Sequence, residues 1–156
     1  MEDRIKRNRE TIKPKWTDLY KTNTAKKQGK ERPEQFKSVS GVKKIDLLKK
    51  FLNIKTKTLQ EVIASRRSLR SYSDVNLSFE ELSYLLWETC RVESHRENAV
   101  FRTIPTAGAT NSMETYVFIN KVQDIEKGIY LYLQESHSLA LIDNDDLIGE
   151  RVTRGF

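Results

Sequence analysis

Apolar positions along the 156-residue chain follow two different periods. Between residues 58 and 90 they recur at helical spacing. Leu59, Val62 and Ile63 share one face behind Thr58-Leu59-Gln60-Glu61. That tetrad has the form of a capping box: the Thr58 hydroxyl accepts from the Glu61 backbone N–H while the Glu61 carboxylate reaches back. Ser78-Phe79-Glu80-Glu81 repeats the device, and Phe79, Leu82, Leu85 and Leu86 continue a stripe that ends near Cys90, itself expected on the core face of the helix. After residue 100 the pattern changes to strand composition. Thr115–Ile119 is β-branched and aromatic, and Gly128–Leu133 and Ser138–Ile142 predict two further strands. Gln134–His137 between them has the length of a hairpin loop, which makes His137 a loop residue. Tyr116, Phe118, Tyr130 and Tyr132 alternate at strand spacing and are expected in the core. Helices followed by strands predict an α+β fold. Ile45–Leu52 fits either a short helix or an edge segment, and there is no internal repeat, P-loop or dinucleotide-type glycine fingerprint.

Charge divides the chain. Residues 1–57 hold 18 Lys/Arg and 7 Asp/Glu, a net of +11, and residues 58–156 hold 10 and 15, a net of −5. Residues 1–57 therefore read as a basic, partly disordered N-terminal extension, in which Trp16 and Tyr20 could pack against a domain. Such a leader can attract nucleic acid or an anionic surface. Its lysines are spread out rather than aligned, which favours a solvated segment over a nucleic-acid site. No run approaches the roughly 18 apolar residues of a membrane span, so no membrane partner is expected. The charged start lacks the apolar region of a secretory signal. A single cysteine, Cys90, excludes an internal disulfide framework and fits a reducing, cytoplasmic compartment. With His95 and His137 the only histidines, no metal site is expected.

Two segments carry candidate chemistry. Ser65-Arg66-Arg67-Ser68-Leu69-Arg70-Ser71-Tyr72 concentrates three permanently charged, planar guanidiniums suited to phosphate, with the Ser68 hydroxyl as a further donor. In a helical stretch Arg66 and Arg70 would share one side. The alternative is that these cations only complement a helix C-terminus. In Arg102-Thr103-Ile104-Pro105-Thr106-Ala107-Gly108-Ala109-Thr110-Asn111, Pro105 biases Ile104 to extended geometry. Thr106, Ala107 and Gly108 are small enough for a flat ligand to approach the backbone, and Thr110 and Asn111 offer hydrogen bonds. Here the alternative is an ordinary turn feeding a strand. His95 has no evident carboxylate partner, and no residue is identified as a general acid or base.

Taken in order, these segments resemble the nitroreductase superfamily, specifically its SagB-type oxidoreductase branch. Arg66–Tyr72 looks like that family's opening flavin motif and Leu77–Trp87 like the helix that follows. Arg102–Ala109 with Glu114-Thr115-Tyr116 resembles the branch's Pro-Ser-Ala-Gly loop and first strand, and Gly128–Tyr132 its next strand. The likeness runs from about residue 58 to 145, and more loosely over Arg32–Lys44. It implies a nitroreductase-like flavin mononucleotide (FMN) fold working as an intertwined homodimer, with hydride exchange through the flavin N5 and NAD(P)H as a candidate electron donor. By the same resemblance Arg66, Arg67 and Ser68 would hold the FMN phosphate and ribityl chain, and Arg70 would lie near the pyrimidine edge. Pro105, Thr106, Ala107 and Gly108 would line the flavin across the dimer interface, with Asn111 as a further contact. Members of the branch oxidise peptide azolines to azoles. Thr106 stands where the branch usually has Ser, and Asn111-Ser112-Met113 departs from its usual residues. The resemblance further implies that residues 58–156 correspond to the N-terminal half of the domain, truncated before the elements that complete the flavin pocket, so that a chain supplying the missing C-terminal half is the alternative partner to a second copy. An inactive truncated product, or a non-catalytic binding protein using the basic leader, is the alternative.

Overall fold

The computed structural model describes residues 2–13, 16–31, 34–97 and 99–154. The chain forms two compact units, Met1–Glu34 and Gln35–Phe156. The first unit contains helices α1 (Glu2–Ile12) and α2 (Trp16–Lys21), then turns through residue 29. Every side chain described between residues 3 and 31 is exposed. Tyr20, considered as a packing residue, is among them, and the side chain of Trp16 lies outside the described residues. Arg, Lys and Glu favour helix, and two isoleucines seven positions apart are too few for apolar periodicity to mark α1 in the sequence.

The second unit begins at Gln35, so residues 35–57, read from charge as part of the extension, lie within it. Its elements are β1 (Lys44–Asp46), α3 (Leu59–Ser65), α4 (Phe79–Cys90), β2 (Val92–Arg96), β3 (Ala99–Arg102), a 3-10 turn (Ala107–Ala109), β4 (Tyr116–Ile119), β5 (Gly128–Leu133), β6 (Ser138–Asp143) and α5 (Ile148–Thr153). Four strands form one antiparallel sheet in the order β1-β6-β5-β4, and β2 and β3 form a separate hairpin. The architecture is α+β, as the sequence pattern predicts. β1 is the edge segment allowed for Ile45–Leu52, with Lys44 opposite Ala140 and Asp46 opposite Ser138. Leu47 then enters the core, and Phe51 meets the Tyr84 ring edge-on at 5.2 Å.

α4 covers the sheet. Its capping box forms: Ser78 Oγ accepts from the Glu81 N–H at 3.1 Å, and the Glu81 carboxylate accepts from the Ser78 N–H at 2.8 Å. Leu82 and Leu86 join Leu47, Ile119, Tyr130, Tyr132 and Leu139 in one buried cluster, with Cys90 at its margin as expected. Ser83, fully buried, donates to the Phe79 carbonyl at 2.7 Å and accepts from the Leu48 N–H at 3.2 Å, so no polar cost remains on that face. Of the alternating aromatics, Tyr130 and Tyr132 are buried, Phe118 is half-buried and Tyr116 is exposed.

Gly128 opens β5 where backbone crowds it: a Cβ there would lie 2.7 Å from the Asp143 carbonyl oxygen and 3.1 Å from a Leu141 methyl. Gly128→Ala is expected to destabilise the chain by about 1–3 kcal/mol, the cost of overpacking. A lowered urea midpoint at unchanged slope would show it, and an unchanged midpoint would mean the β5–β6 register yields freely.

His137 is a loop residue, as expected, but a buried one. It occupies the hairpin loop at φ 56, yet it is only 2% exposed. Its Nε2 lies 2.8 Å from the Leu48 carbonyl and its Nδ1 2.7 Å from the Tyr132 hydroxyl. A carbonyl only accepts, so Nε2 carries the proton and Nδ1 accepts from Tyr132. The Trp87 ring stands edge-on at 4.8 Å. Burial lowers the His137 pKa, opposed by its bond to Leu48, and burial raises that of Tyr132.

Candidate functional site

The first cluster starts where α3 ends. Thr58 and Glu61 form the expected box, with the Glu61 carboxylate 2.7 Å from the Thr58 N–H. These bonds hold the Glu61 pKa below its usual value. The helix stops at Ser65. Arg66 caps it with extended backbone, φ −57 and ψ 127, and its N–H reaches the Val62 carbonyl at 2.9 Å. From residue 66 to 76 there is no helix, so Arg66 and Arg70 do not stack one turn apart as a helical stretch would place them. Arg66 Nη1 lies 3.4 Å from Ser68 Oγ, which brings two expected phosphate ligands together. Arg67 behaves differently: its Nη1 folds back onto the Ala64 carbonyl at 3.1 Å and the Arg66 carbonyl at 2.7 Å. Its guanidinium thus serves the helix C-terminus, the alternative raised for the whole cluster. Among the described residues no carboxylate pairs with Arg66, Arg67 or Arg70.

The apolar face of α3 does not reach the core. Leu59 is 75% exposed, Ile63 68% and Val62 46%, and Leu69, Tyr72 and Val75 beyond it are also exposed. The stripe is real in sequence, but the sheet is already covered by α4.

The second cluster is the loop between β3 and β4. Its backbone enters left-handed geometry at Gly108 (φ 61), Ala109 (φ 52) and Asn111 (φ 48). For Ala109 this costs about 1–2 kcal/mol, which the surroundings must repay. Asn111 supplies the repayment. It is buried; its Nδ2 donates to the Val100 carbonyl at 2.7 Å and the Ala109 carbonyl at 3.3 Å. Its Oδ1 accepts from Thr106 Oγ1 at 3.2 Å, and Thr106 Oγ1 accepts from the Asn111 N–H at 3.2 Å. The Asn111 amide, expected to offer hydrogen bonds to a ligand, and the Thr106 hydroxyl are thus used to shape the loop. Pro105 and Gly108 remain exposed, and the side chain of Ala107 lies outside the described residues. A Cβ on Gly108 would meet only a Thr110 methyl, at 3.9 Å, so the loop's outer side is open.

Asn111→Ala leaves the Val100 carbonyl unpaired, and the expected cost is about 1–3 kcal/mol. Amide hydrogen exchange at Ala109–Asn111 should accelerate more than in β5; unchanged protection would mean that Thr106 alone shapes the loop.

Arg102 anchors the loop from below. Its Nη1 donates to the Met113 carbonyl at 3.4 Å, and its guanidinium lies 5.6 Å from the Phe36 ring centroid. Desolvation lowers its pKa, opposed by Cys90 and Glu114. Among the described residues, Arg102 Nε and Thr103 Oγ1 are buried without a hydrogen-bond partner. Beside them Lys37 Nζ donates to the Tyr116 hydroxyl at 2.8 Å and pairs with Glu114 at 3.3 Å, contacts that raise the Lys37 pKa, the Tyr116 bond most. Lys37 carries no motif and its partner Tyr116 lies 79 positions away, so nothing local marks it. No hydrogen bond or ion pair joins Arg66, Arg67, Ser68 or Arg70 to Pro105, Thr106, Gly108 or Asn111 among the described residues. Also among them, no group of three His, Cys, Asp or Glu is placed to hold a metal, and no helix is long and apolar enough to cross a membrane.

No family model matches the chain. It is 37% identical over 89 residues to the "Putative nitroreductase MJ1384" of Methanocaldococcus jannaschii, a match covering 57% of this chain and 43% of that protein. A crystal structure of a "putative nitroreductase" from Anabaena variabilis superposes with a TM-score of 0.52 at 24% identity, over 71% of this chain and 23% of that one. The chain thus has a nitroreductase-like α+β fold and is similar in sequence to a curated relative of that name, of which it spans less than half the length.

Proposed function

We propose that this chain carries part of the cofactor site of an FMN-dependent oxidoreductase of nitroreductase type, in the SagB-like branch and working as a homodimer in the cytoplasm. The observation that carries it is the 37% identity over 89 residues to a curated nitroreductase relative, on a matching fold. The donors present fit FMN in part. Arg66 and Ser68 are exposed, within contact of each other and, among the described residues, free of carboxylates, which suits a phosphate; Arg70 is exposed beyond them. Pro105 and Gly108 leave an open backbone surface for a flat ring. Thr106 and Asn111 fit less well as direct ligands, because their polar atoms are used on each other, and Arg67 is engaged by the helix end. In this proposal Arg66 and Ser68 bind phosphate, Arg70 places positive charge by the pyrimidine edge, and Thr106 and Asn111 hold the loop that Pro105, Ala107 and Gly108 present. Bound FMN would supply hydride exchange at N5, with NAD(P)H as electron donor, while the protein supplies position and charge.

The test is direct. The purified chain is titrated with FMN and followed by flavin fluorescence and visible absorbance. Saturable uptake supports the proposal. Absence of uptake by the full chain overturns binding by this chain on its own.

A further inference from the structure

Helix α1 collects cations that look scattered in the sequence. At about 100° per residue, Ile5 and Ile12 fall on one stripe. Arg4 and Arg9 lie on either side of it, within roughly 90° of the stripe, with Lys13 and Lys6 just beyond Arg9. Asp3 and Glu10 fall on the opposite side, more than about 140° from the stripe, together with Arg7, while Glu2 at the first position of the helix lies about 70° from the stripe. Ile5 is 48% exposed, Ile12 81% and Tyr20 on α2 79%, and every described side chain of the two helices is exposed. Among the described residues only Lys13, beside Glu10, has a carboxylate partner on α1. Residues 1–34 hold 11 Lys/Arg against six Asp/Glu, a net of +5.

An 11-residue helix that buries nothing is marginal in water, so a surface that covers the stripe is needed to stabilise it. The arrangement is selective about that surface. An apolar stripe flanked by Arg4, Arg9, Lys13 and Lys6, with two of the helix's three acids facing away, matches the boundary of an anionic lipid leaflet: the isoleucines enter the acyl edge and the cations reach up to phosphate headgroups. A nucleic acid would be served by the cations alone and gains nothing from two isoleucines. α2 adds Trp16, Leu19 and Tyr20 in sequence, residue types that favour the membrane–water boundary. We infer that α1 is an in-plane anchor that holds this protein on an anionic membrane surface, independently of the flavin proposal. A peripheral contact of this kind needs no membrane-spanning helix.

The experiment uses the full chain and vesicles of phosphatidylcholine alone or with 30% phosphatidylserine, scored by flotation at about 0.1 M salt. Binding is expected to the serine-lipid vesicles and to fall at least tenfold on neutral ones. The triple variant Arg4→Gln, Lys6→Gln, Arg9→Gln should lose at least tenfold, and so should Ile5→Asp with Ile12→Asp. Both variants keep the same unit Gln35–Phe156, so their circular dichroism melts should match that of the parent. No vesicle binding overturns the inference. So does equal binding to neutral vesicles, or an isoleucine pair that makes no difference. Binding to a polyuridine or duplex DNA oligonucleotide that outcompetes serine-lipid vesicles would assign the helix to nucleic acid instead.

Discussion

Replacing His137 by alanine should cost about 3–4 kcal/mol of stability. The buried Tyr132 hydroxyl would be left unpaired, at roughly 1–3 kcal/mol, the part-buried Leu48 carbonyl would lose its partner, and the space against Trp87 would be emptied. That is a large share of the 5–15 kcal/mol typical of a domain, so a much lower urea midpoint is expected. A loss under about 1 kcal/mol would mean the loop refills the space and the latch carries little. The same residue gives stability a pH dependence. Burial lowers the folded-state pKa of His137, so the unfolded chain takes up the proton first. Its contribution is therefore complete above about pH 6.5, the ordinary histidine value, and is lost as pH falls below it. The carboxylates with lowered pKa, among them Glu80 beside Asn53 and Glu81 beside Ser78, act in a separate window at lower pH. Urea midpoints measured between pH 7.5 and 5 should fall in the parent and stay flatter in His137→Gln. Equal slopes would assign the pH dependence elsewhere.

The second large effect concerns the cation cluster. If the chain takes up FMN, Arg66→Ala with Ser68→Ala should raise its Kd by about 30–300-fold, the equivalent of roughly 2–3.4 kcal/mol for a charge-assisted phosphate contact. Arg67→Ala should change it less than about threefold, because that guanidinium already serves the Ala64 and Arg66 carbonyls. The family resemblance treats the two arginines alike, whereas the structure separates them. Fluorescence titration of both variants decides the matter: equal losses would mean that Arg67 leaves the helix end when phosphate arrives.

What was legible in the sequence followed the local signals. Both capping boxes, the α4 stripe and strands β4, β5 and β6 lie where period and turn chemistry place them, since each is specified by residues a few positions apart. The β2–β3 hairpin was not legible. Val92–Arg96 is nearly all polar and exposed, and it is a strand because Ala99–Arg102 pairs with it. Residues 35–57 were hidden by their lysines, although Ile45, Leu47 and Phe51 among them each find a packing place. The α3 stripe shows the reverse failure: an amphipathic pattern states that a face wants cover without saying what covers it. At the candidate site the residue types were legible, but their division of labour was not. Nothing in the spacing says that Thr106 and Asn111 bond each other, or that Arg102 runs beneath the loop.

The tie between His137 and Leu48 spans 89 positions, and β1 pairs with β6 across a similar distance. During synthesis the segment around Ile45 and Leu47 leaves the ribosome long before its partner strand exists. It must wait as an unpaired apolar edge, the state most prone to wrong pairing between nascent chains. Lys43 and Lys44 precede it and Lys49 and Lys50 follow it, two like charges on each side. In the finished fold only Lys43 has a carboxylate partner, Glu126, among the described residues. As guards of a strand in waiting, all four have a task before the fold is complete.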